Sequence, residues 1–246
     1  MSANNVPPPP DLAHLLNDGP VSLFVDFDGT LVEIAPTPDG ITVPPDLSQR
    51  LAALAERLQG RVALVSGRAI QDLENHLGPL AIASAGSHGS DCRSAEGVRV
   101  GSAPRALSAD ALTEFAEFAQ SQGFAREDKP HGAALHYRGD PSLEEPGLAF
   151  AKNFAERHGL QVKRGKYVIE LVGRGVGKAS AVQTLMQIEP FVGSMPVFIG
   201  DDVTDEDGMR AATEMGGFGI AVGERPSENA RYALDSTAAV QQWLDL

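Results

Sequence analysis

The chain has 246 residues, of which 42% are hydrophobic and 22% are charged, so it is long enough for one large globular domain or two unequal ones. No stretch approaches the ~18 consecutive apolar residues of a membrane-spanning helix, and the N-terminus does not have the basic and apolar regions of a signal peptide. The net charge of −13 disfavours nucleic acids and anionic membranes as partners.

The cysteine content bears on the cellular compartment of the protein, and the N-terminal prolines bear on the conformation of its first residues. Cys92 is the only cysteine, which excludes an internal disulfide and favours a reducing compartment, so we expect a cytoplasmic protein. Four consecutive prolines at positions 7–10 predict a short, extended and mobile tail. We also expect a monomer.

The basic residues are unevenly distributed along the chain. Between residues 126 and 178 lie 10 of the 20 Lys and Arg residues but only 7 of the 33 acidic residues. A basic stretch on an acidic protein could attract a small anionic ligand to one place, although chance alone produces such unevenness about as often.

Strands and helices alternate in the first third of the chain. A short apolar run predicts a buried strand at 21–27, and leucines at helical spacing predict a helix at 45–59. A strand at 61–65, a helix at 69–77 and a strand at 80–85 follow. This order predicts right-handed crossovers and a parallel sheet that is covered on both faces.

The alternation returns near the C-terminus, after a different middle section. In the middle, the patterns predict helices at 109–120 and 142–158 and strands at 133–137, 160–163 and 167–172. Beyond the middle, they predict helices at 178–187 and 206–215 and strands at 196–199 and 218–222.

The middle section reads as a separate α+β unit of two helices over a small antiparallel sheet. We therefore predict an α/β fold with a doubly wound parallel-sheet (Rossmann-like) core at 1–104 and 174–246. The α+β unit at 105–173 would be an insertion in that core.

A motif with two carboxylates, Asp26-Phe27-Asp28-Gly29-Thr30, follows the first predicted strand, and ligands of open α/β sheets bind at the carboxyl ends of strands. Asp26 could attack phosphorus and form an aspartyl-phosphate, while Asp28 could protonate the leaving alkoxide and then activate water. Gly29 allows a tight turn whose amides face a phosphate oxygen. The simpler explanation is an Asp-Gly turn that closes a strand.

Two further segments have residue types that suit a phosphate. Ser66-Gly67-Arg68 ends the second strand and begins a helix, where a hydroxyl and backbone amides can hold a phosphate oxygen. Lys178, at the start of a later helix, could neutralise the phosphate and hold the nucleophile in place. An N-cap serine and an exposed helix lysine are the simpler explanations.

The most acidic run of the chain, 201–207, also follows an apolar strand. Asp201, its first residue, could complete an octahedral Mg²⁺ site with Asp26, because Mg²⁺ prefers hard oxygen ligands and takes few carboxylates. A solvated, acidic helix N-terminus would explain the later acids of the run.

In this order, the four segments resemble the haloacid dehalogenase superfamily, with its D-x-D-G-T motif, Ser, Lys and acidic G-D-D-x-x-D motif, and the insertion resembles that superfamily's larger α/β cap. Four motifs narrow the resemblance to trehalose-6-phosphate phosphatases over residues 21–244. They are SHG at 87–89, HYR at 136–138, RGKYVIEL at 164–171 and GDDVTDEDG at 200–208.

The resemblance implies Mg²⁺-dependent hydrolysis of trehalose 6-phosphate to trehalose and phosphate through an aspartyl-phosphate. It implies a nucleophile at Asp26, an acid/base at Asp28 and a catalytic Lys178. Mg²⁺ would be bound by Asp26, Asp201 and the backbone carbonyl of Asp28. Further contacts to the sugar phosphate are expected from Ser66, Gly67, Arg68 and His88 in the core and from Arg138, Lys166 and Glu170 in the cap.

The chain departs from this family pattern at two places. Ala179 follows Lys178 where the family often has Gly, and Val172-Gly173 stand where a basic residue and Pro are usual. The second departure weakens the transfer of detail in the cap.

Three alternative functions stay open on the sequence. They are a related phosphatase for sucrose phosphate or a hexose phosphate, a phosphomutase, and a catalytically silent sugar-phosphate sensor. Both carboxylates of the D-x-D motif are present, which argues against the silent sensor.

Overall fold

The computed structural model describes residues 6–35, 37, 40–102, 106–129, 132–165 and 167–246. The chain divides into two compact units. The core unit comprises Met1–Ser102 and Gly177–Leu246, and the inserted unit comprises Ala103–Val176.

Strands and helices alternate over most of the described residues. The strands are β1 (Val21–Val25), β2 (Val62–Val65), β3 (Ala83–Gly86), β4 (Asp91–Arg93), β5 (Arg99–Val100), β6 (Ala125–Lys129), β7 (Gly132–His136), β8 (Leu160–Gly165), β9 (Val168–Gly173), β10 (Met195–Gly200), β11 (Phe218–Val222) and β12 (Ala230–Leu234). The α-helices are α1 (Leu12–Asp18), α2 (Leu47–Arg57), α3 (Ile70–Leu77), α4 (Ala109–Gln122), α5 (Glu144–His158), α6 (Lys178–Leu185), α7 (Asp205–Glu214) and α8 (Thr237–Leu244).

The core unit is built on an eight-stranded sheet in the order β12-β11-β10-β1-β2-β3-β4-β5. The strands from β12 to β3 are parallel to their neighbours, and β4 and β5 add an antiparallel edge. The chain leaves β1 towards β2 on one side, and β10 lies on the other side. Strand β1 therefore lies at the switch point of the sheet, where ligands of such folds bind.

Both faces of this sheet are covered, as expected for a parallel sheet. Leu23 and Val25 of β1 belong to an apolar cluster that includes residues of α2, α3 and α8. Phe24 belongs to a second cluster, on the opposite face, that includes Val182 of α6 and Met209 of α7. Because successive side chains of a strand point to opposite faces, the two clusters confirm the doubly wound arrangement.

The inserted unit has a four-stranded antiparallel sheet in the order β6-β7-β9-β8. Its apolar cluster joins this sheet to α4 and α5 and includes Phe115 and Phe154, whose ring centroids lie 5.7 Å apart. The predicted fold class, a doubly wound α/β core with an inserted α+β unit, is confirmed.

Four short strands and one short helix were not predicted from the sequence. Strands β4 and β5 have three and two residues, and β6 has the highly charged sequence AREDK. Strand β12 and helix α1 were also missed. Strands β4, β5 and β6 have too few apolar residues for a periodic pattern, and pairing with a neighbouring strand decides their structure.

The prediction of a mobile proline tail is wrong for residues 6–10. The backbone carbonyl of Pro7 accepts a 3.0 Å hydrogen bond from the amide of Ala233, and the carbonyl of Pro10 accepts one of 2.8 Å from Trp243 Nε1. Proline has no N–H to donate, but its carbonyl remains a full acceptor. With α1 and α8, the tail lines a groove of about 800 Å³, and the described residues that line it include none of the predicted site residues.

Among the described residues, no helix combines the length and the apolar character that crossing a bilayer requires.

Candidate active site

The core of the candidate site is a buried lysine between two buried aspartates. Asp26 follows the last residue of β1, and its amide donates a 2.9 Å hydrogen bond to the carbonyl of Ile199 in β10. Lys178 Nζ, at the first residue of α6, lies 2.7 Å from Asp26 Oδ1 and 2.5 Å from Asp205 Oδ1. All three residues are at most 4% exposed, so the ammonium group fixes one oxygen of Asp26 in a dry environment.

Asp205, the first residue of α7, organises the acidic loop that precedes it. Its second oxygen, Oδ2, accepts hydrogen bonds from the amides of Asp201 at 3.1 Å and Asp202 at 2.9 Å. A side chain on Gly200 would lie 2.2 Å from Asp205 Cγ, so only glycine allows this approach. The same carboxylate therefore binds the lysine and shapes the loop.

The carboxylate of Asp201 is directed towards the D-x-D-G-T turn. Thr30 Oγ1 donates to Asp201 Oδ1 at 3.3 Å, and a side chain on Gly29 would lie 2.2 Å from Asp201 Oδ2. Gly29 has a φ of +80°, which also favours glycine. This glycine brings the end of β1 and the loop after β10 into direct contact.

Asp26, Asp201 and Asp205 each offer an oxygen, and the three oxygens lie within 4.8 Å of one another. With Lys178, the group holds three carboxylates and one ammonium, so two negative charges remain unbalanced. Burial and the neighbouring Asp205 raise the pKa of Asp26 well above its usual range. Burial, again with Asp205, raises the pKa of Asp201 to about 6.

The pKa of Lys178 shows how the charges of this group act on one another. Burial alone would lower the pKa of Lys178, but Asp205 and Asp26 raise it above its ordinary value. The lysine therefore stays charged while the carboxylates compete for it. A divalent cation would neutralise the two unbalanced charges, and carboxylate oxygens are the ligands that Mg²⁺ prefers. The residues present fit such an ion.

The carboxylate of Asp28 lies in a second ion-pair network. Arg68 donates from Nε and Nη2 to the two oxygens of Asp28, at 2.7 and 2.8 Å, and from Nη1 to Asp72 at 2.6 Å. The pairing with Asp28, followed by that with Asp72, raises the pKa of Arg68 above its ordinary value. In this geometry the guanidinium of Arg68 orients Asp28, and the contact of Arg68 with the sugar phosphate stays a prediction.

Residues 66 and 67 lie against an unusual turn after β3. The amide of His88 donates to the carbonyl of Ser66 at 2.9 Å, and a side chain on Gly67 would lie 2.7 Å from the His88 ring. Ser87 and His88 both have a positive φ, of 49° and 56°, which is uncommon for residues other than glycine. Ser66, Gly67 and His88, which the sequence predicted separately, therefore lie together.

A sequence model of the family described as Trehalose-phosphatase matches residues 24–238 of the chain. The chain belongs to the trehalose-phosphatase family. It is 34% identical over 226 residues to "Trehalose-6-phosphate phosphatase" of Escherichia coli (strain K12), a match that covers 91% of this chain and 85% of the relative. It is also 34% identical over 225 residues to "Probable trehalose-phosphate phosphatase" of Sinorhizobium fredii, with 89% and 84% covered.

Two solved structures align with this chain and have the same fold. The C-terminal domain of the Candida albicans trehalose-6-phosphate phosphatase aligns with a TM-score of 0.77 and 22% identity over 98% of both chains. A "trehalose-6-phosphate phosphatase related protein" aligns with a TM-score of 0.70 and 24% identity over 92% of this chain and 95% of the other. The predictions that the chain is a phosphatase of this family and has a haloacid dehalogenase-like fold are confirmed.

Two of the residues that the family resemblance assigns to sugar binding are described in the inserted unit. Glu170 of β9 pairs in register with Lys163 of β8 and with Ala134 of β7. Since Ile169 and Leu171 belong to the apolar cluster of the inserted unit, Glu170 points to the opposite face of the sheet. Arg138 is exposed just beyond β7, and Lys166 lies outside the described residues.

Asp205 is a member of the candidate site that was not predicted from the sequence. The acidic cluster contains Asp205 beside Asp26 and Asp201, whereas the predicted metal ligands were Asp26, Asp201 and the backbone carbonyl of Asp28. That carbonyl stays a prediction. The signal was present in the motif G-D-D-x-x-D, but a helix N-terminus is a common place for an aspartate.

Proposed function

We propose that the protein is a Mg²⁺-dependent phosphomonoesterase that hydrolyses trehalose 6-phosphate to trehalose and phosphate. The observation that carries this proposal is the buried group in which Lys178 binds Asp26 and Asp205 beside the carboxylate of Asp201. Membership of the trehalose-phosphatase family supports the substrate.

In the first step, Asp26 attacks the phosphorus atom of the substrate. Lys178 binds Oδ1 of Asp26, so Oδ2 is the oxygen that we assign as nucleophile. An oxygen–phosphorus bond forms on Asp26 as the bond from phosphorus to the sugar oxygen breaks, and the sugar oxygen takes a proton from Asp28.

In the second step, water replaces the aspartyl group on phosphorus. Asp28, now a carboxylate, takes a proton from the water as the new oxygen–phosphorus bond forms and the bond to Asp26 breaks. The two hydrogen bonds from Arg68 stabilise the carboxylate form that this step requires. Asp28 thus returns to the acid form for the next cycle.

The metal would be bound by the side chains of Asp26 and Asp201 and by the backbone carbonyl of Asp28. When bound, Mg²⁺ would stabilise the negative charge on the phosphoryl oxygens. Asp205 lies in the same cluster, but one of its oxygens binds Lys178 and the other accepts from two amides. We therefore assign Asp205 to holding the lysine and the loop.

The remaining predicted residues would bind the substrate. Ser66 and Gly67, at the end of β2, and His88, in the turn after β3, would contact the phosphate. In the inserted unit, Arg138, Lys166 and Glu170 would bind sugar hydroxyls, because a site built from hydrogen-bonding groups rejects ligands that leave those groups unpaired. The cytoplasmic location and the monomeric state stay predictions.

A phosphate-release screen with and without metal tests the proposal. Trehalose 6-phosphate, sucrose 6-phosphate, glucose 6-phosphate and p-nitrophenyl phosphate would be compared in EDTA, in Mg²⁺ and in Ca²⁺. We expect the highest kcat/KM for trehalose 6-phosphate, no turnover in EDTA, recovery in Mg²⁺, and weaker recovery in Ca²⁺, whose larger and looser shell suits an octahedral site badly.

Each alternative function has its own signature in this screen. A preference for another sugar phosphate would support a related phosphatase, and isomerisation without phosphate release would support a mutase. No turnover of any substrate would support a sensor. Full activity in EDTA would contradict the metal assignment.

A further inference from the structure

The loop that carries Asp201 is also held from its outer side, by an arginine from a distant part of the chain. Arg225, which follows β11, donates from Nε to the carbonyl of Asp201 at 2.8 Å and from Nη2 to the carbonyl of Asp202 at 3.0 Å. The amides of the same two residues donate to Asp205. The backbone of 201–202 is therefore bound on both sides, by a carboxylate and by a guanidinium.

The guanidinium of Arg225 is itself fixed by Glu206. Arg225 Nη2 lies 2.6 Å from Glu206 Oε1, and the side chain of Glu206 is 15% exposed. Glu206 Oε2 accepts from Ser227 Oγ, from the amides of residues 228 and 229, and from Asn229 Nδ2, at 3.0 to 3.2 Å. One carboxylate thus fixes both Arg225 and the segment that follows it.

The position of Asp201 leaves little room for movement. A side chain on Gly29 would lie only 2.2 Å from Asp201 Oδ2. Val203, two residues after Asp201, is 57% exposed and does not anchor the loop in the core. Mg²⁺ demands near-ideal octahedral geometry with ligands at about 2.0–2.1 Å. A small displacement of the loop would therefore weaken metal binding.

We propose that Arg225 is a positioning residue that holds the carboxylate of Asp201 in place for the divalent cation, and that Glu206 holds Arg225. The proposal rests on the function proposed above. It assigns Arg225 no contact with the substrate, and it predicts a defect in metal affinity rather than in substrate affinity.

The test is a calorimetric titration of EDTA-treated, dialysed protein with Mg²⁺ alone, on the wild type and three variants. Arg225→Met should weaken Mg²⁺ binding about tenfold, the scale expected when a supporting partner of a metal ligand is removed. Glu206→Gln, which keeps the shape and loses the charge, should weaken it about threefold. Arg210→Met is the matched control, because Arg210 lies on α7 and pairs only with exposed acids of that helix in the described contacts.

Kinetics separate positioning from general support of the fold. In Arg225→Met the Mg²⁺ concentration for half-maximal hydrolysis of trehalose 6-phosphate should rise about tenfold, while KM for the substrate at saturating Mg²⁺ should stay within about twofold of the wild type. If Arg225→Met does not fold, Arg225→Lys and Glu206→Gln carry the same test.

The possible failures are distinguishable. A wild type that binds no Mg²⁺ refutes the function proposed above. A wild type that binds Mg²⁺, with Arg225→Met and Glu206→Gln within twofold of it, refutes only the positioning role. A change of equal size in Arg210→Met would also refute that role, because it would show a general effect of charge.

Discussion

The buried ion pairs of Lys178 in the core unit and two ion pairs of the inserted unit lie in different environments. Lys178, Asp26 and Asp205 of the core unit are almost completely buried, and Lys178 Nζ lies 2.7 Å from Asp26 and 2.5 Å from Asp205. In the inserted unit, the ion pairs of Arg157 with Glu114 and of Arg164 with Glu144 have side chains that are 36 to 64% exposed.

This difference in burial determines how strongly each set of ion pairs fixes the geometry around it. A buried charge group is costly unless every member is paired, so its geometry is held rigidly, as chemistry requires. Exposed pairs contribute little to stability and leave a surface free to carry different polar groups. The Lys178 group is therefore suited to holding a fixed geometry, as the reaction proposed above requires.

The largest effect should follow from Asp26→Asn in the core unit. An amide is a far poorer nucleophile and metal ligand than a carboxylate, so kcat should fall by at least about 10³-fold while the protein stays folded. Phosphate release and circular dichroism would measure the two properties. Asp207→Asn, on the surface of α7, is the control and should stay active. Retention of more than a few per cent of wild-type turnover would remove Asp26 from its role.

Lys178→Met tests the cost of a buried charge directly. It leaves Asp26 and Asp205 without their shared cation, and breaking a buried pair in this way costs about 3 kcal/mol or more of the free energy of unfolding. Urea unfolding in EDTA would measure this loss. Lys152→Met, at an exposed position of α5, should stay within about 0.5 kcal/mol of the wild type. A small loss in Lys178→Met would contradict the contrast between the units.

Glu170→Ala tests the role of the inserted unit in specificity. It should lower kcat/KM for trehalose 6-phosphate about 30-fold, equivalent to roughly 2 kcal/mol, because polar partners in the complex lose a hydrogen bond. It should spare p-nitrophenyl phosphate, which has no sugar. Glu156→Ala, exposed on α5, is the control for both substrates. Equal losses on the two substrates would mean that Glu170 supports the fold or the chemistry.

Glu114→Gln should have the smallest effect. The hydrogen bond from Arg157 lowers the pKa of Glu114, so the pair stabilises the fold above the unfolded-state pKa of ~4.3 and loses this contribution as pH falls through the folded-state pKa. The variant should therefore lower Tm by no more than about 2 °C at pH 7, and by less at acid pH. Thermal unfolding at both pH values measures the change in Tm. A decrease of more than about 5 °C would contradict the prediction and show that the pair of Arg157 and Glu114 stabilises the fold strongly.

Much of the arrangement of the candidate site was predictable from the sequence, because it depends on local patterns. Apolar strands followed directly by Asp26, Ser66 and Asp201 place these residues at the same edge of a parallel sheet. The alternating elements also predicted the doubly wound fold. Both inferences need only the order of strands and helices and the rule that parallel strands end at one edge.

Other features depended on which distant residues meet, and only the tertiary structure decided them. The sequence did not indicate that Asp205 would share Lys178 with Asp26, that Arg68 would bind Asp28, or that Arg225 would bind the loop of Asp201. An aspartate at a helix N-terminus and an arginine in a loop have ordinary local explanations. Their roles arise from contacts over 27, 40 and 24 residues of chain, and no local periodicity records such contacts.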